Sequence, residues 1–367
     1  MPRELGAPVA SRHHLAEGVR ARVRRRAHAR RDPRNATARL ALVTACTLAL
    51  GLLVVGTWAT GASSGTGSRS ASVGKPRVLR VHPSTVRGRG GTKILILGRR
   101  FTSGTVITVG GVRARVLSVR NSGALVAVVP SGIGAEVVRA TTSGGTSAAN
   151  SRSVLRFDTR VLVVGDSLGI DLGWGFTAAL DAQAALSVTD DAVGSSGLVR
   201  TDFYSWPAHL RLDIAETHPD VVMTLFGAND QQALGSSKGR SEPESRAWDR
   251  IYAARVRQLG AIVHNARATL VWVGLPRMGP QSSLNSQFVA HMVALDRSAV
   301  ATIRGAAFVD SWSVFSTAVG AYTPYVEISP GVWVLGHAQD DTHLTPAGAM
   351  VIDAKGVREL RSLLTRR

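Results

Sequence analysis

Short apolar runs without helical spacing dominate the region from residue 75 to residue 157. Glycine, proline and serine separate these runs at intervals of about ten residues, and each run is rich in β-branched residues. Such runs predict strands that pack as a small all-β sandwich. The predicted strands are Val78–Val81, Lys93–Leu97, Val106–Val109, Arg113–Val119, Leu125–Val129 and Glu136–Thr141.

From residue 158 to residue 367 the pattern changes to short apolar runs that alternate with longer amphipathic segments. This alternation predicts a three-layer α/β/α domain with a parallel sheet. The predicted strands are Val161–Gly165, Leu186–Val188, Val221–Phe226, Leu270–Leu275 and Ala307–Val309. The predicted helices are Gly173–Ala185, Ser205–Thr217, Glu244–Ala266 and Ser286–Ile303.

The longest apolar run, Leu40–Trp58, holds nineteen residues without a charge, and eleven arginines precede it. A run of this length can cross a bilayer as a helix, and the excess of arginine favours a cytoplasmic N-terminus. We therefore expect a disordered basic tail over 1–39, a transmembrane helix over 40–59 and a flexible Gly/Ser linker over 60–74. The rest of the chain would then lie outside the cytoplasm, anchored at the cell membrane. A cleaved signal peptide is the alternative, with small residues at Ala59 and Ala62.

Charge changes this picture for the β region. The chain has a formal net charge of +19, yet residues 159–367 carry eighteen basic and twenty acidic residues. Residues 75–158 carry fourteen basic residues and only two acids. The β region could bind an anionic wall polymer or lipid head groups, or it could be a solvated spacer. Its expected location argues against nucleic acid. The single cysteine, Cys46, allows no intramolecular disulfide and no cysteine-based metal site.

Nucleophilic chemistry is indicated by three residues. Ser167 follows a buried strand and opens the next predicted helix, which places its hydroxyl at the carboxyl edge of the sheet. His343 lies about 175 residues later and has Asp340 three residues before it. A serine attacks a carbonyl only when a base takes its proton, and an acid orients that base. Asp341 is the competing acid.

Four short blocks in the expected order extend this hypothesis. They are Gly165-Asp166-Ser167-Leu168, a glycine after the second strand (Gly197), Gly227-Ala228-Asn229-Asp230 and Asp340-x-x-His343. On these blocks the C-terminal half resembles the SGNH hydrolase superfamily, the GDSL-type esterases, over essentially its whole length. The segment Gly165–Gly169 also fits the G-x-S-x-G elbow of α/β-hydrolases. Ser167 follows the first strand of its domain, however, and this position excludes that fold.

The resemblance implies a role for each block. Ser167 would be the nucleophile, His343 the base and Asp340 its orienting acid, because the family's spacing favours Asp340 over Asp341. The oxyanion hole would consist of the backbone N–H groups of Ser167 and Gly197 and the side-chain amide of Asn229, with Gly194 as the alternative to Gly197. Asp166 and Asp230 would have structural roles near the site. No cofactor and no metal are implied.

The β region resembles an IPT/TIG domain, which implies an immunoglobulin-like sandwich fold. The resemblance rests on Val81-His82-Pro83-Ser84, Gly90-Gly91-Thr92 and Val129-Pro130-Ser131-Gly132, and it covers about residues 75–157.

Together these features predict a membrane-anchored, extracytoplasmic serine esterase that removes acyl groups, including acetyl groups, from a cell-envelope glycan or lipid ester. Three aromatic residues near the site loops, Tyr204, Trp206 and Trp333, would suit a sugar or an acyl chain. An O-acyltransferase with the same triad is one alternative, and a catalytically silent wall-binding protein is another.

Overall fold

The computed structural model describes residues 74–179, 186–236 and 239–365. The predicted tail, transmembrane segment and linker therefore lie outside the described residues. Within the described ranges no helix is long and apolar enough to cross a membrane. All the described residues belong to one compact unit, which spans Arg69–Arg367.

Eight strands build the N-terminal part of this unit. Six of them overlap the predicted apolar runs, and the two shortest, Thr85–Arg87 and Gly145–Thr146, are not predicted. The eight strands are β1 Arg77–His82, β2 Thr85–Arg87, β3 Lys93–Arg99, β4 Val106–Val109, β5 Val112–Asn121, β6 Ala124–Val128, β7 Gly134–Thr142 and β8 Gly145–Thr146. β1, β3, β6 and β5 are antiparallel neighbours in that order, and β5 continues beside β4, which pairs with β7. Alternate side chains such as Ile94, Ile96 and Leu125 point inward and form one buried core. The predicted all-β domain is confirmed.

A single strand, β9 (Val154–Gly165), runs through the predicted boundary at residue 158. Its first half pairs with β7 and β2, and its second half pairs with β10 and β11. Burial alternates over residues 154–159 and becomes continuous over 161–165. The sequence pattern predicts a strand only from Val161 onward, because Arg156 and Asp158 interrupt the apolar run. In the structure these polar residues occupy the outward positions of an alternating strand.

The remaining strands and the helices form the predicted α/β domain. The strands are β10 Leu186–Asp190, β11 Val221–Leu225, β14 Thr269–Val273 and β15 Ala307–Val309. The helices are α1 Ser167–Ala179, α2 Trp206–Thr217, α3 Arg246–Asn265, α4 Ser286–Ala301 and α5 Pro346–Thr365. The sheet is parallel in the order β10-β9-β11-β14-β15. α1 begins at Ser167, where the serine block predicts the start of a helix, and six residues before the periodic segment Gly173–Ala185, because Gly169, Gly173 and Gly175 weaken the helical pattern there.

The sequence pattern does not predict two hairpins and two 3-10 turns that the structure contains. The hairpins are β12 Leu234–Ser236 with β13 Gly239–Ser241, and β16 Tyr325–Ser329 with β17 Val332–Leu335. The 3-10 turns are Ser151–Ser153 and Trp312–Phe315. The second hairpin ends five residues before Asp340, so it supports the loop that carries Asp340 and His343. The loops after β9, β10 and β11 leave the sheet at its carboxyl edge, where open α/β sheets bind ligands.

Candidate active site

The turn between β9 and α1 holds Ser167 at the first position of the helix. Gly165 is required there, because a Cβ at this position would lie 2.2 Å from the Leu225 carbonyl oxygen. The next residue, Asp166, accepts a hydrogen bond from the Leu168 N–H at 3.0 Å. This contact caps the helix and fixes the backbone on both sides of Ser167.

Ser167, His343 and Asp340 form a continuous chain of hydrogen bonds. The Ser167 Oγ lies 2.9 Å from His343 Nε2, and His343 Nδ1 lies 2.6 Å from Asp340 Oδ2. Asp340 Oδ1 also accepts from the backbone N–H of Thr342 and of His343, at 3.1 and 3.0 Å. With Asp340 holding the proton on Nδ1, Nε2 can accept the serine proton.

The charges of Asp340 and His343 reinforce this arrangement. Burial alone would raise the pKa of Asp340, but the hydrogen bonds from His343 and Thr342 outweigh it and lower that pKa to about 2. Burial works against the protonated form of His343, yet the hydrogen bond and charge of Asp340, with Asp171 and Asp166 behind it, raise the pKa of His343 above its ordinary 6.5. The ionised Asp340 therefore stabilises the protonated form of His343. This is the form that results when His343 takes the proton of Ser167.

Asp341 has a different role. Its carboxylate accepts from the Tyr322 hydroxyl at 2.8 Å and from the Gln281 N–H at 3.0 Å. Its backbone lies in the left-handed region, with φ of 51°. Asp341 therefore ties neighbouring loops together, while Asp340 alone of the two contacts His343.

Each of the three predicted oxyanion donors keeps an N–H group that makes no hydrogen bond among the described residues. No hydrogen bond among the described residues uses the backbone N–H of Ser167 or of Gly197. The Asn229 amide gives one N–H to the Ser196 carbonyl at 2.9 Å and has a second to donate. Neighbouring backbone N–H groups of the same loops, in contrast, donate hydrogen bonds to the buried carboxylates of Asp166 and Asp230. Unpaired donors at a nucleophile are what a developing oxyanion needs.

Asp166 and Asp230 are fully buried and organise these loops. Asp166 Oδ2 accepts from the Gly227 and Ala228 N–H groups, both at 3.1 Å. Asp230 accepts from Leu198 and Val199 at 3.1 and 2.8 Å. Burial raises the pKa of Asp166 to about 7 and that of Asp230 to about 6. Asp166 thus joins the loop after β9 to the loop after β11, and Asp230 joins the loop after β11 to the loop after β10.

Gly197 lies against the Asn229–Asp230 turn. A Cβ on Gly197 would lie 2.3 Å from Asp230 Oδ1, so this backbone approaches more closely than any side chain allows. Gly194 lies elsewhere, with the tip of Ile170 as the nearest contact of its missing Cβ, at 3.8 Å. The geometry therefore favours Gly197 over Gly194 as the second donor.

The aromatic residues predicted near the site have different surroundings. Trp206 is fully buried, and its indole N–H donates to Ser196 Oγ at 3.0 Å. It supports the Gly197 loop from within the core, so the expectation that it meets a substrate is wrong. Tyr204 stacks on His209 at 4.0 Å between ring centroids. Trp333 is 57% exposed on β17 and offers a ring to solvent.

Asp171 is a site residue that the sequence motifs do not include. It lies four residues after Ser167 on α1, and its carboxylate accepts from the Leu344 N–H at 2.9 Å. This bond joins the residue after His343 to the helix that carries the serine. Burial raises the pKa of Asp171 to about 6. The spacing of four from the serine, on one helix face, is the signal that the sequence offers for it.

Metal ligation has no candidate in the described part of the chain, where no cluster of three or more histidine, cysteine, aspartate or glutamate side chains could hold an ion.

Comparisons with known proteins agree with this division of the chain. Residues 160–359 match the family described as "Protein of unknown function (DUF459)", and residues 76–155 match the IPT/TIG domain. The second match confirms the resemblance predicted for the β region. No curated protein matches the chain at a significant level.

Several solved structures resemble the chain at low identity. An acetylxylan esterase from Geobacillus stearothermophilus is 15% identical, with 55% of this chain and 94% of that chain covered and a TM-score of 0.38. A lipase/acylhydrolase from Enterococcus faecalis is 14% identical, with coverage of 56% and 96% and a TM-score of 0.35. The esterase EstA from Pseudoalteromonas is 11% identical, with coverage of 56% and 99% and a TM-score of 0.37.

Proposed function

The chain belongs to the family described as "Protein of unknown function (DUF459)", and since that description names no reaction, we propose from the geometry of the site that it is a serine ester hydrolase of the SGNH type. It would release acyl groups from an ester through a covalent intermediate on Ser167.

The observation that carries this proposal is the hydrogen-bonded chain from Asp340 through His343 to Ser167, beside three unpaired donors. Ser167 Oγ would bond to the ester carbonyl carbon while its proton passes to His343 Nε2. The oxyanion would be held by the donors at Ser167, Gly197 and Asn229. Collapse of this intermediate breaks the bond to the alcohol oxygen, which takes the proton from His343, and water then resolves the acyl-enzyme by the same steps.

Hydrolysis is favoured over acyl transfer by the openness of the site. The side chains of His343 and Asp340 are 41% and 49% exposed. A transferase must keep water from its acyl-enzyme until the acceptor hydroxyl arrives, whereas this base is within reach of bulk water. The O-acyltransferase is therefore the second candidate, and the silent wall-binding protein the third.

The substrate and location extend the proposal further. The apolar run within residues 40–59 would anchor the chain, and the catalytic domain would face an acylated envelope glycan or lipid ester outside the cytoplasm. The exposed ring of Trp333, on the hairpin that leads to Asp340, would suit a sugar ring or an acyl chain.

Turnover of esters by the full chain in detergent tests this function. Short-chain aryl esters and an acetylated polysaccharide would be offered to the native chain, to Ser167→Ala and to a control variant at an exposed serine of β10, Ser187→Ala. We expect turnover by the native chain and by the control, and none by Ser167→Ala. Free acetate as the product supports the hydrolase. Acylated glycan acceptor in its place would make the transferase correct, and turnover that survives Ser167→Ala would refute the proposed nucleophile.

A further inference from the structure

The β domain has an outward-facing sheet surface whose composition is unusual for a solvated sandwich. It is the outer side of β1, β3, β6 and β5, and we call it the basic sheet face. Antiparallel sheets with one solvated side normally alternate apolar residues inward with polar residues outward. Here many of the outward positions are apolar as well.

The centre of the basic sheet face is an apolar patch. The cross-strand partners Leu95 and Val126 are outward and partly exposed, and so is the neighbouring pair Leu97 and Ala124. Leu97 is 37% exposed. Two further leucines are exposed at irregularities of the flanking strands, Leu79 in β1 at 36% and Leu117 in β5 at 40%. Exposed apolar patches on a soluble surface indicate an interaction site.

Basic side chains surround this patch. Arg77 pairs with Arg99 across β1 and β3, and Arg80 is the partner of Leu97. Lys93 and Arg115 are both partners of Val128 on the opposite side of the patch. Among the described residues, these five charged groups make no ion pair and no side-chain hydrogen bond, so no neighbour within those ranges neutralises them.

No acidic residue lies on the basic sheet face. The only acids in residues 75–158 are Glu136 and Asp158, which lie on β7 and β9. The face therefore combines an apolar centre with a rim that carries basic side chains and no acidic ones, with uncharged Ser118 and Asn121 along β5. A soluble anionic polymer needs the rim but gains nothing from exposed leucines. The interface of an anionic bilayer satisfies both, because phosphates meet the arginines and the leucines leave water.

The position of the face along the chain allows such a contact. β1 begins nineteen residues after Trp58, the last residue of the predicted membrane-spanning run. A linker of this length reaches at most about 65 Å when extended, so the face can return to the same bilayer.

We propose that the basic sheet face docks on the surface of a bilayer that contains anionic phospholipid. This inference rests on the membrane anchor of the proposed function but not on the hydrolase activity, because it concerns a surface of the β domain and needs no turnover to test.

A fluorescent probe at the centre of the face tests the docking. In the full chain Cys46→Ser would remove the native cysteine, and Ala124→Cys would carry an environment-sensitive dye. Ser143→Cys, in the exposed turn between β7 and β8, gives the matched control position. Each labelled chain would be incorporated into nanodiscs of phosphatidylcholine alone or with an equal part of phosphatidylglycerol, and quenched with neutral acrylamide.

We expect the dye at residue 124 to shift to the blue and to be protected from acrylamide several-fold, only with phosphatidylglycerol, while the dye at residue 143 stays accessible. Loss of each basic residue weakens attachment to an anionic surface about fivefold, so Arg77→Gln, Arg80→Gln and Arg99→Gln together should weaken it roughly a hundredfold. The same charge loss elsewhere, in Arg152→Gln, Arg250→Gln and Arg257→Gln, should leave the protection unchanged.

Equal quenching at residues 124 and 143 in anionic nanodiscs would overturn the proposal. A second variant, Leu97→Ser with Leu117→Ser, separates lipid from polymer. Bilayer docking predicts that this variant loses protection. If it keeps protection, or if soluble polyphosphate protects residue 124 as well as nanodiscs do, the face binds anionic polymer and the bilayer proposal is wrong.

Discussion

Asp340→Asn is the substitution that tests the proposed proton path most closely. An asparagine Oδ1 can keep the hydrogen bonds from the Thr342 and His343 N–H groups, so the loop need not move. Its amide N–H₂ would then face His343 Nδ1, which lies 2.6 Å from the carboxylate in the native chain. Nδ1 would have to accept, and the ring proton would sit on Nε2, where it blocks proton transfer from Ser167.

The magnitude of this loss can be worked out from the geometry. A histidine in the wrong tautomer costs about 10⁴ in kcat in a serine hydrolase, or roughly 5.5 kcal/mol of transition-state stabilisation. Because Asp340 is half exposed, water compensates for part of the lost charge, and we expect a loss of about 10³ in kcat.

The pH profile of kcat/KM should move as well. In the native chain kcat/KM should rise through a His343 pKa above 6.5, since only neutral His343 accepts a proton. Without the charge of Asp340 that pKa falls, so the rising limb shifts to lower pH.

Steady-state ester hydrolysis across pH measures both effects. Asp341→Asn is the matched control, because Asp341 contacts Tyr322 and Gln281 and asparagine tolerates its positive φ. The control should retain activity within a few-fold. If Asp340→Asn keeps native activity, or if the control loses as much, the assignment of Asp340 as the orienting acid is wrong.

The oxyanion donors and one buried acid give three more predictions. Asn229→Ala should lower kcat by about 10²–10³ with little change in KM, as measured on the same esters, because one oxyanion donor is lost. Gly197→Ala should reduce kcat and lower the free energy of unfolding by about 1–3 kcal/mol in thermal melts, because its Cβ would meet Asp230. Asp353 is fully buried in α5 without a hydrogen-bond partner among the described residues, and burial raises its pKa well above 3.8. The native chain should therefore lose stability as pH rises above 3.8 toward that raised pKa, and Asp353→Asn should flatten this slope in melts recorded from acid to neutral pH.

Most of the α/β domain is predictable from the sequence because its strands are continuous apolar runs. The strand at Ala307–Val309 is predicted to the residue, and the helix that begins at Ser286 is right at its N-terminus. The site motifs are also legible. The first three blocks come after strands of the parallel sheet and therefore lie at its carboxyl edge, whereas Asp340 and His343 follow a separate hairpin and are identified by their spacing.

Other features depend on contacts that a pattern does not encode. The predicted boundary near residue 158 lies within one strand, because β9 changes from alternating to continuous burial there and is shared by both domains. The hairpin of β16 and β17 is an exception, because it has a local signal that the prediction does not use: Pro330-Gly331 separates two β-rich runs, and Gly331 has a φ of 77°. Asp171 accepts a hydrogen bond from Leu344, and Trp206 donates one to Ser196. Only the folded chain reveals these partners.

Covalent labelling of the full chain with a fluorophosphonate, read by mass spectrometry of the adduct, tests most directly whether Ser167 is an activated nucleophile. The labelling needs no knowledge of the substrate. We predict one adduct on Ser167, absent in Ser167→Ala and formed far more slowly in Asp340→Asn. An adduct on another residue, or labelling of Ser167 that is equally fast without Asp340, would contradict the proposed triad.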